Sequence, residues 1–144
     1  MVVPLSVLFN WVLELRKFCP QLRVLRIHTN DSAEQQRLRD ILTTFSTNRT
    51  TLSGSYNCGG IGEVNGCETH SYDVVVTTYE MIKGKMEVSF RRVFWRTMVL
   101  DEGHRIKNDL TTISKACLLF KARFKLVLTG TWHKCTINLR VLLF

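Results

Sequence analysis

Asp101 and Glu102 stand side by side at the end of the apolar run Met98-Val-Leu100, and Gly103, His104 and the basic segment Arg105-Ile-Lys-Asn108 follow at once. A short apolar strand that delivers carboxylates to the lip of a sheet puts them where α/β proteins bind ligands. Mg²⁺ is a hard cation that takes one or two protein carboxylates and fills its remaining positions with water and phosphate oxygens. Asp101 suits such an ion, held through water. Glu102, directed to the other side of the strand end, suits the orientation or deprotonation of a water attacking a γ-phosphate. His104 is placed to link the pair to a facing segment. The chemistry implied is nucleotide hydrolysis. An acidic turn that only caps the next helix is the plainer alternative, and the strand before the pair and the basic tail after it weigh against that.

The elements that must position this pair can be read from hydrophobic periodicity. Val2-Val3 is the stub of a buried strand cut short by Pro4, which has no N–H to give a ladder. Ser6 is placed to cap a helix to about Phe18, with Val7, Trp11, Leu15 and Phe18 on its inner face. A strand over Val24 to His28 and a helix from Asp31-Ser32 to about Thr43 follow, the helix turning Leu38, Ile41 and Leu42 inward. Phe45 to Ser71 is polar and rich in Gly, Ser, Thr and Asn, and reads as a loop or insertion. Tyr72 to Thr78 is a β-branched run typical of a strand buried on both faces. A helix is expected from Tyr79, a strand over Phe94 to Leu100, and a helix capped by Asn108 or Asp109 and running to about Phe120. A buried strand over Phe124 to Leu128 and a short helix over Asn138 to Phe144 complete the pattern. Alternating strands and helices predict an α/β fold with a mostly parallel sheet flanked by helices.

Composition narrows the partners. The 144 residues are 45% hydrophobic, enough for one domain with a core, and carry 20 Lys and Arg against 12 Asp and Glu, a formal charge of +8. That excess favours polyanions, nucleic acid before acidic lipid. No stretch approaches the apolar length of a membrane span, and no secretory signal is evident at the N-terminus. The five cysteines lack regular spacing, and Cys19, Cys117 and Cys135 read as reduced core thiols. Cys58, Cys67 and His70 form a weak zinc candidate without an obvious fourth ligand. Trp11 and Trp95 fall on apolar faces, where core packing is the expected role.

Five segments, taken in order, resemble the superfamily-2 helicase-like ATPases in the form used by Swi/Snf-type chromatin remodelers, nearest the imitation-switch and Swi/Snf branches. They are Val2-Val-Pro-Leu-Ser-Val-Leu-Phe-Asn-Trp11, Phe18-Cys-Pro20, Tyr72-Asp-Val-Val-Val-Thr-Thr-Tyr-Glu80, Asp101-Glu-Gly-His104 and Leu126-Val-Leu-Thr-Gly-Thr131. The resemblance implies that residues 1–144 are part of an N-terminal RecA-like lobe of P-loop NTPase type, with 45–71 inserted in it. It implies ATP and Mg²⁺ as cofactors of the complete protein, duplex DNA and nucleosomes as partners, a second RecA-like lobe, and a nuclear location. It assigns Thr129, Gly130 and Thr131 to coupling nucleotide state with lobe movement. Together with local chemistry, it turns Ser6, Asn10, Thr77, Thr78, Tyr79, Arg105 and Lys107 toward DNA. Hydroxyls, amides, a helix N-terminus and cations of this kind grip phosphates without reading bases.

The departures from the pattern matter equally. Related proteins carry a Gly-Lys-Thr/Ser phosphate loop ahead of the Val-Pro-Leu-Ser segment, and none occurs in these residues: Gly59-Gly-Ile-Gly62 and Gly84-Lys85 lack the following Lys-Ser/Thr or Ser/Thr. After Thr131, Trp132-His-Lys-Cys-Thr136 replaces the family's Pro-x-Gln-Asn continuation, and Gly103 stands where Ala is frequent. The expectation is therefore a partial motor lobe, inactive as an isolated polypeptide. The alternative is a truncated paralogue without turnover that acts as a DNA- or protein-binding module.

Overall fold

The structure is a computed structural model that describes residues 1–47, 72–106, 108 and 111–128. Five parallel strands, β1 (Val2–Val3), β2 (Val24–Ile27), β3 (Val74–Thr78), β4 (Trp95–Leu100) and β5 (Ala122–Val127), form one sheet in the order β2-β3-β1-β4-β5. The predicted parallel α/β architecture is what the chain adopts. β1 is only two residues long, yet it sits in the middle, pairing Val2 with Thr77 and Leu100 and Val3 with Thr78. Pro4 stops it, and the chain turns directly into α1 (Leu5–Phe18).

Alternation along β1 and β3 separates two cores. Val3 and Val76 face Leu8 and Val12 of α1, whereas Val2, Val75 and Tyr79 join the larger core on the opposite face. That larger core is closed by α2 (Ser32–Thr47), α3 (Tyr79–Lys83), α4 (Glu87–Arg92) and α5 (Thr112–Leu119), through residues such as Leu42, Ile82, Phe90 and Cys117. β3 is thus buried on both faces, as its β-branched run predicts. β5 is not: Phe124 is 46% exposed, and among the described residues α1 packs on β1 to β3 and not on β4 or β5.

Other boundaries moved for local reasons. Ser6 lies inside the first turn of α1, and the N-cap is Pro4, which makes no side-chain cap bond. Leu8 and Val12 point into the core, while Phe18, expected inside, is 68% exposed. Asp31 caps α2 as expected, its carboxylate accepting from the backbone N–H of Ala33 at 3.2 Å and Glu34 at 3.4 Å. α2 runs on to Thr47 rather than ending near Thr43. Thr43 and Thr44 bond back to Arg39 and Ile41, and Phe45 meets Tyr72 edge to face at 6.3 Å. Positions 45–47 of the expected loop are therefore helical; 48–71, with Cys58, Cys67 and His70, lie outside the described residues. α5 is capped by Thr111, not Asn108 or Asp109, with its hydroxyl accepting from Ser114 N–H. Among the described residues no helix is long and apolar enough to cross a membrane.

Candidate active site

Because all strands are parallel, their C-terminal ends gather on one edge of the sheet, and the neighbours β3, β1 and β4 bring three chain segments together there. Met98 and Leu100 are buried in the larger core and anchor β4 up to its last residue. Beyond it the pairing changes sides. Asp101 N–H donates to the Val2 carbonyl at 2.9 Å, whereas Gly103 N–H donates to Leu128 at 2.8 Å, on the β5 side. The backbone must swing across between these two bonds, and Glu102 makes the swing in the left-handed region at φ 55°. A non-glycine residue held there costs on the order of 1 kcal/mol or more, and such outliers cluster at functional sites. Gly103 is tightly packed for a different reason: a Cβ on it would lie 2.1 Å from Cγ1 of Val127, which would have to shift.

Asp101 is half-buried and held at three points. Its Oδ1 accepts the Glu102 N–H at 2.9 Å, its Oδ2 accepts the Trp11 indole N–H at 2.7 Å, and its carbonyl accepts the Tyr79 hydroxyl at 2.6 Å. Each carboxylate oxygen has two lone pairs, so one bond apiece leaves both able to meet a cation or a cation-bound water. That donor chemistry fits Mg²⁺. Among the described residues no three His, Cys, Asp or Glu side chains converge on a metal cage, and an ion here would depend on water and phosphate for its other ligands. Burial raises the Tyr79 phenol well above the usual tyrosine range, and the neighbouring Asp101 carboxylate adds to the shift. The phenol therefore stays a donor.

The candidate DNA-facing residues divide into two groups. Ser6 and Asn10 are exposed, one turn apart on α1. Arg105 is exposed as well; it pairs with Glu80 at 3.5 Å and lies 5.7 Å from the centre of the Tyr79 ring. Thr77, Thr78 and Tyr79 are buried, and their hydroxyls have partners inside the protein. Thr77 donates to the Ile27 carbonyl at 2.9 Å, Thr78 lies 3.3 Å from His28 Nδ1, and Tyr79 reaches Asp101. His104 takes its place in the single 3₁₀ turn Gly103–Ile106. Its side chain, Lys107, and Thr129, Gly130 and Thr131 lie outside the described residues.

Sequence reasoning assigned Trp11 to the core, where its ring is indeed half-buried. It missed the hydrogen bond to Asp101. The available signal was chemical: a partly buried indole seeks an acceptor for its one N–H.

A five-stranded parallel sheet with helices on both faces, and an acidic turn at the carboxyl end of a central strand, defines a RecA-like lobe. The model of the SNF2-related domain matches residues 1–134, and the chain belongs to that family. It is 32% identical over 130 residues to an ISWI chromatin-remodeling complex ATPase of Arabidopsis thaliana, covering 90% of this chain and 10% of that protein. It is 33% identical, with the same coverage, to SWI/SNF-related matrix-associated actin-dependent regulator of chromatin subfamily A member 1 of Homo sapiens. Among solved structures it matches the Sulfolobus solfataricus SWI2/SNF2 ATPase core in complex with dsDNA, with TM-score 0.60 and 29% identity over 91% of this chain and 20% of that one. The chain thus spans about a tenth of the length of these curated relatives.

Proposed function

We propose that residues 1–144 supply the metal and water side of the ATPase site in a DNA-translocating chromatin-remodelling motor, working in the nucleus on duplex DNA and nucleosomes. The observation that carries this reading is the turn at the end of β4, where a strained Glu102 follows an Asp101 fixed by three hydrogen bonds. In this reading Asp101 holds Mg²⁺ through water, and Glu102 orients or deprotonates the attacking water. His104 and Thr129 to Thr131 connect the site to a second lobe. Bound ATP and Mg²⁺ would supply the scissile phosphate and the charge that stabilises its transfer.

Ser6, Asn10, Arg105 and Lys107 are the residues we assign to DNA phosphates. Thr77, Thr78 and Tyr79 frame that surface; with their hydroxyls already engaged, their contribution is to hold its shape. Contacts of this kind are independent of sequence and weaken with salt. Fluorescence anisotropy with labelled duplexes of unrelated sequence tests this: binding should be weak, similar across sequences and steeply reduced by added salt. Equal binding at low and high ionic strength would sink the assignment. The polypeptide of these residues alone should release no phosphate from ATP, since it holds no Gly-Lys-Thr/Ser loop to orient the γ-phosphate.

A second reading, a binding module without turnover, draws on one feature of α1. Leu5, Phe9 and Leu13 form an exposed apolar row, 52%, 62% and 46% accessible. Rows of this kind on a helix mark contacts with other polypeptide surfaces. Replacing Phe9 and Leu13 by Ser should then reduce association with a partner while leaving duplex binding unchanged.

A further inference from the structure

Two segments assigned above to the DNA side end on the same residue of the nucleotide side. Trp11 reaches Asp101 Oδ2 from α1 at 2.7 Å, across 90 positions of sequence, and Tyr79 reaches the Asp101 carbonyl from the end of β3 at 2.6 Å. Resting on the proposed function, we infer that Trp11 is a positioning residue for the Asp101 carboxylate. Through Trp11 and Tyr79, Asp101 becomes the point at which occupancy of the α1 and β3 surface is felt at the metal.

The physical argument begins with rigidity. Asn10 and Trp11 are consecutive in one α-helix, and Ser6 lies one turn earlier. A phosphate gripped at Ser6 and Asn10 and a carboxylate gripped at Trp11 are therefore attached to one body. Any shift or rotation of α1 on duplex binding carries the indole donor with it. The donor is directional, and a hydrogen bond to a charged acceptor is among the stronger ones, so the carboxylate must follow or lose it.

Tyr79 provides the second hold. It is fully buried, it begins α3 immediately after Thr77 and Thr78, and Arg105 lies over its ring. Movement of the β3 end or of Arg105 is thereby transmitted to the main chain of Asp101. With Oδ1 fixed by Glu102 N–H and Oδ2 by Trp11, the carboxylate has little rotational freedom left. The remaining lone pairs are aimed before any cation arrives. Hydrogen-bond partners of this kind around a ligating carboxylate change metal affinity by roughly 10- to 100-fold.

The reciprocal character of such a link gives the test. The chain labelled with ¹⁵N at tryptophan is followed by the indole N–H resonances, Trp11 being identified by its absence in Trp11→Phe. Trp95 is the internal control, since its indole donates to the Phe90 carbonyl at 3.1 Å on the other side of the sheet. A short duplex of mixed sequence and Mg²⁺ alone are titrated separately. The expected result is that the Trp11 resonance moves with each ligand while Trp95 stays in place. Trp11→Phe should weaken Mg²⁺ by about tenfold, and Asp101→Asn should abolish the Mg²⁺ response. Duplex binding by anisotropy with the Trp11 resonance unmoved would overturn the inference and leave the proposed function standing. A Mg²⁺ response that survives in Asp101→Asn would overturn the metal role of Asp101, and the inference with it.

Discussion

The ends of β3 and β4 lie on the same edge of the same parallel sheet, yet they are built in opposite ways. At the end of β3, Thr77, Thr78 and Tyr79 are buried, and every hydroxyl has an internal partner. At the end of β4, Asp101 and Glu102 are only half-buried, Glu102 is held at φ 55°, and Gly103 is pressed against Val127. Local order at the β3 end is satisfied by packing. The β4 end carries conformational cost and retains acceptor capacity, which is the signature of a segment shaped for a ligand. The difference separates residues that hold the edge from residues proposed to act on it.

The comparison is broken most forcefully at Tyr79. Tyr79→Ala removes a fully buried ring, the hydroxyl bond to Asp101 and the surface under Arg105. It should cost about 3–5 kcal/mol, measured as a fall in the urea midpoint at unchanged m. A loss below about 1 kcal/mol would mean that the β3 end is not the anchor described.

Gly103→Ala comes next. The added methyl meets Cγ1 of Val127, whose branched side chain has little rotamer freedom. A loss of about 1–3 kcal/mol is expected from overpacking. In the double variant with Val127→Ala the loss should be smaller than the sum of the two single losses. Strict additivity would show that the close approach is relieved elsewhere.

The smallest effect concerns Cys117, which lies behind Tyr79 in the larger core. Burial pushes its thiol up from an ordinary value of 9.0 to about 12. The folded chain holds that proton more tightly than the unfolded chain. Its contribution to stability is therefore complete below the unfolded value and is lost as pH rises toward about 12. Lys125, lowered by burial, acts in the opposite sense and offsets part of this. Native protein at mildly alkaline pH should leave Cys117 unalkylated by iodoacetamide and react there only after denaturation. Rapid native labelling would contradict the burial.

Much of this arrangement was legible in the residues. β3 announced itself as a double-faced strand through Val74, Val75 and Val76, and the apolar run before Asp101 placed the acidic pair at a strand end. Asp31 capped α2 by the chemistry expected of it. What failed depended on contacts between distant segments. The exposure of Phe18 and Phe124 follows from how far α1 extends over the sheet, and no local pattern carries that. Thr111 displaced Asn108 as a cap through its own hydroxyl, which accepts the Ser114 N–H at 3.2 Å and lies 2.9 Å from the Asn108 carbonyl. The hydrogen bond of Trp11 to Asp101 joins residues 90 positions apart, and periodicity could report only that one side of the ring is buried.

Glu102→Gln keeps the size and the left-handed backbone of the turn, so stability should change by less than about 0.5 kcal/mol. Its effect on turnover tests the account most directly. Residues 1–134 would replace the matching segment of the Sulfolobus solfataricus SWI2/SNF2 ATPase core, and phosphate release would be measured with saturating duplex DNA, for the Glu102 form and for Glu102→Gln. Loss of a positioned base predicts a fall of roughly 10²- to 10⁴-fold with duplex binding retained. Equal turnover by the two forms would show that the turn at the end of β4 is not where the attacking water is handled.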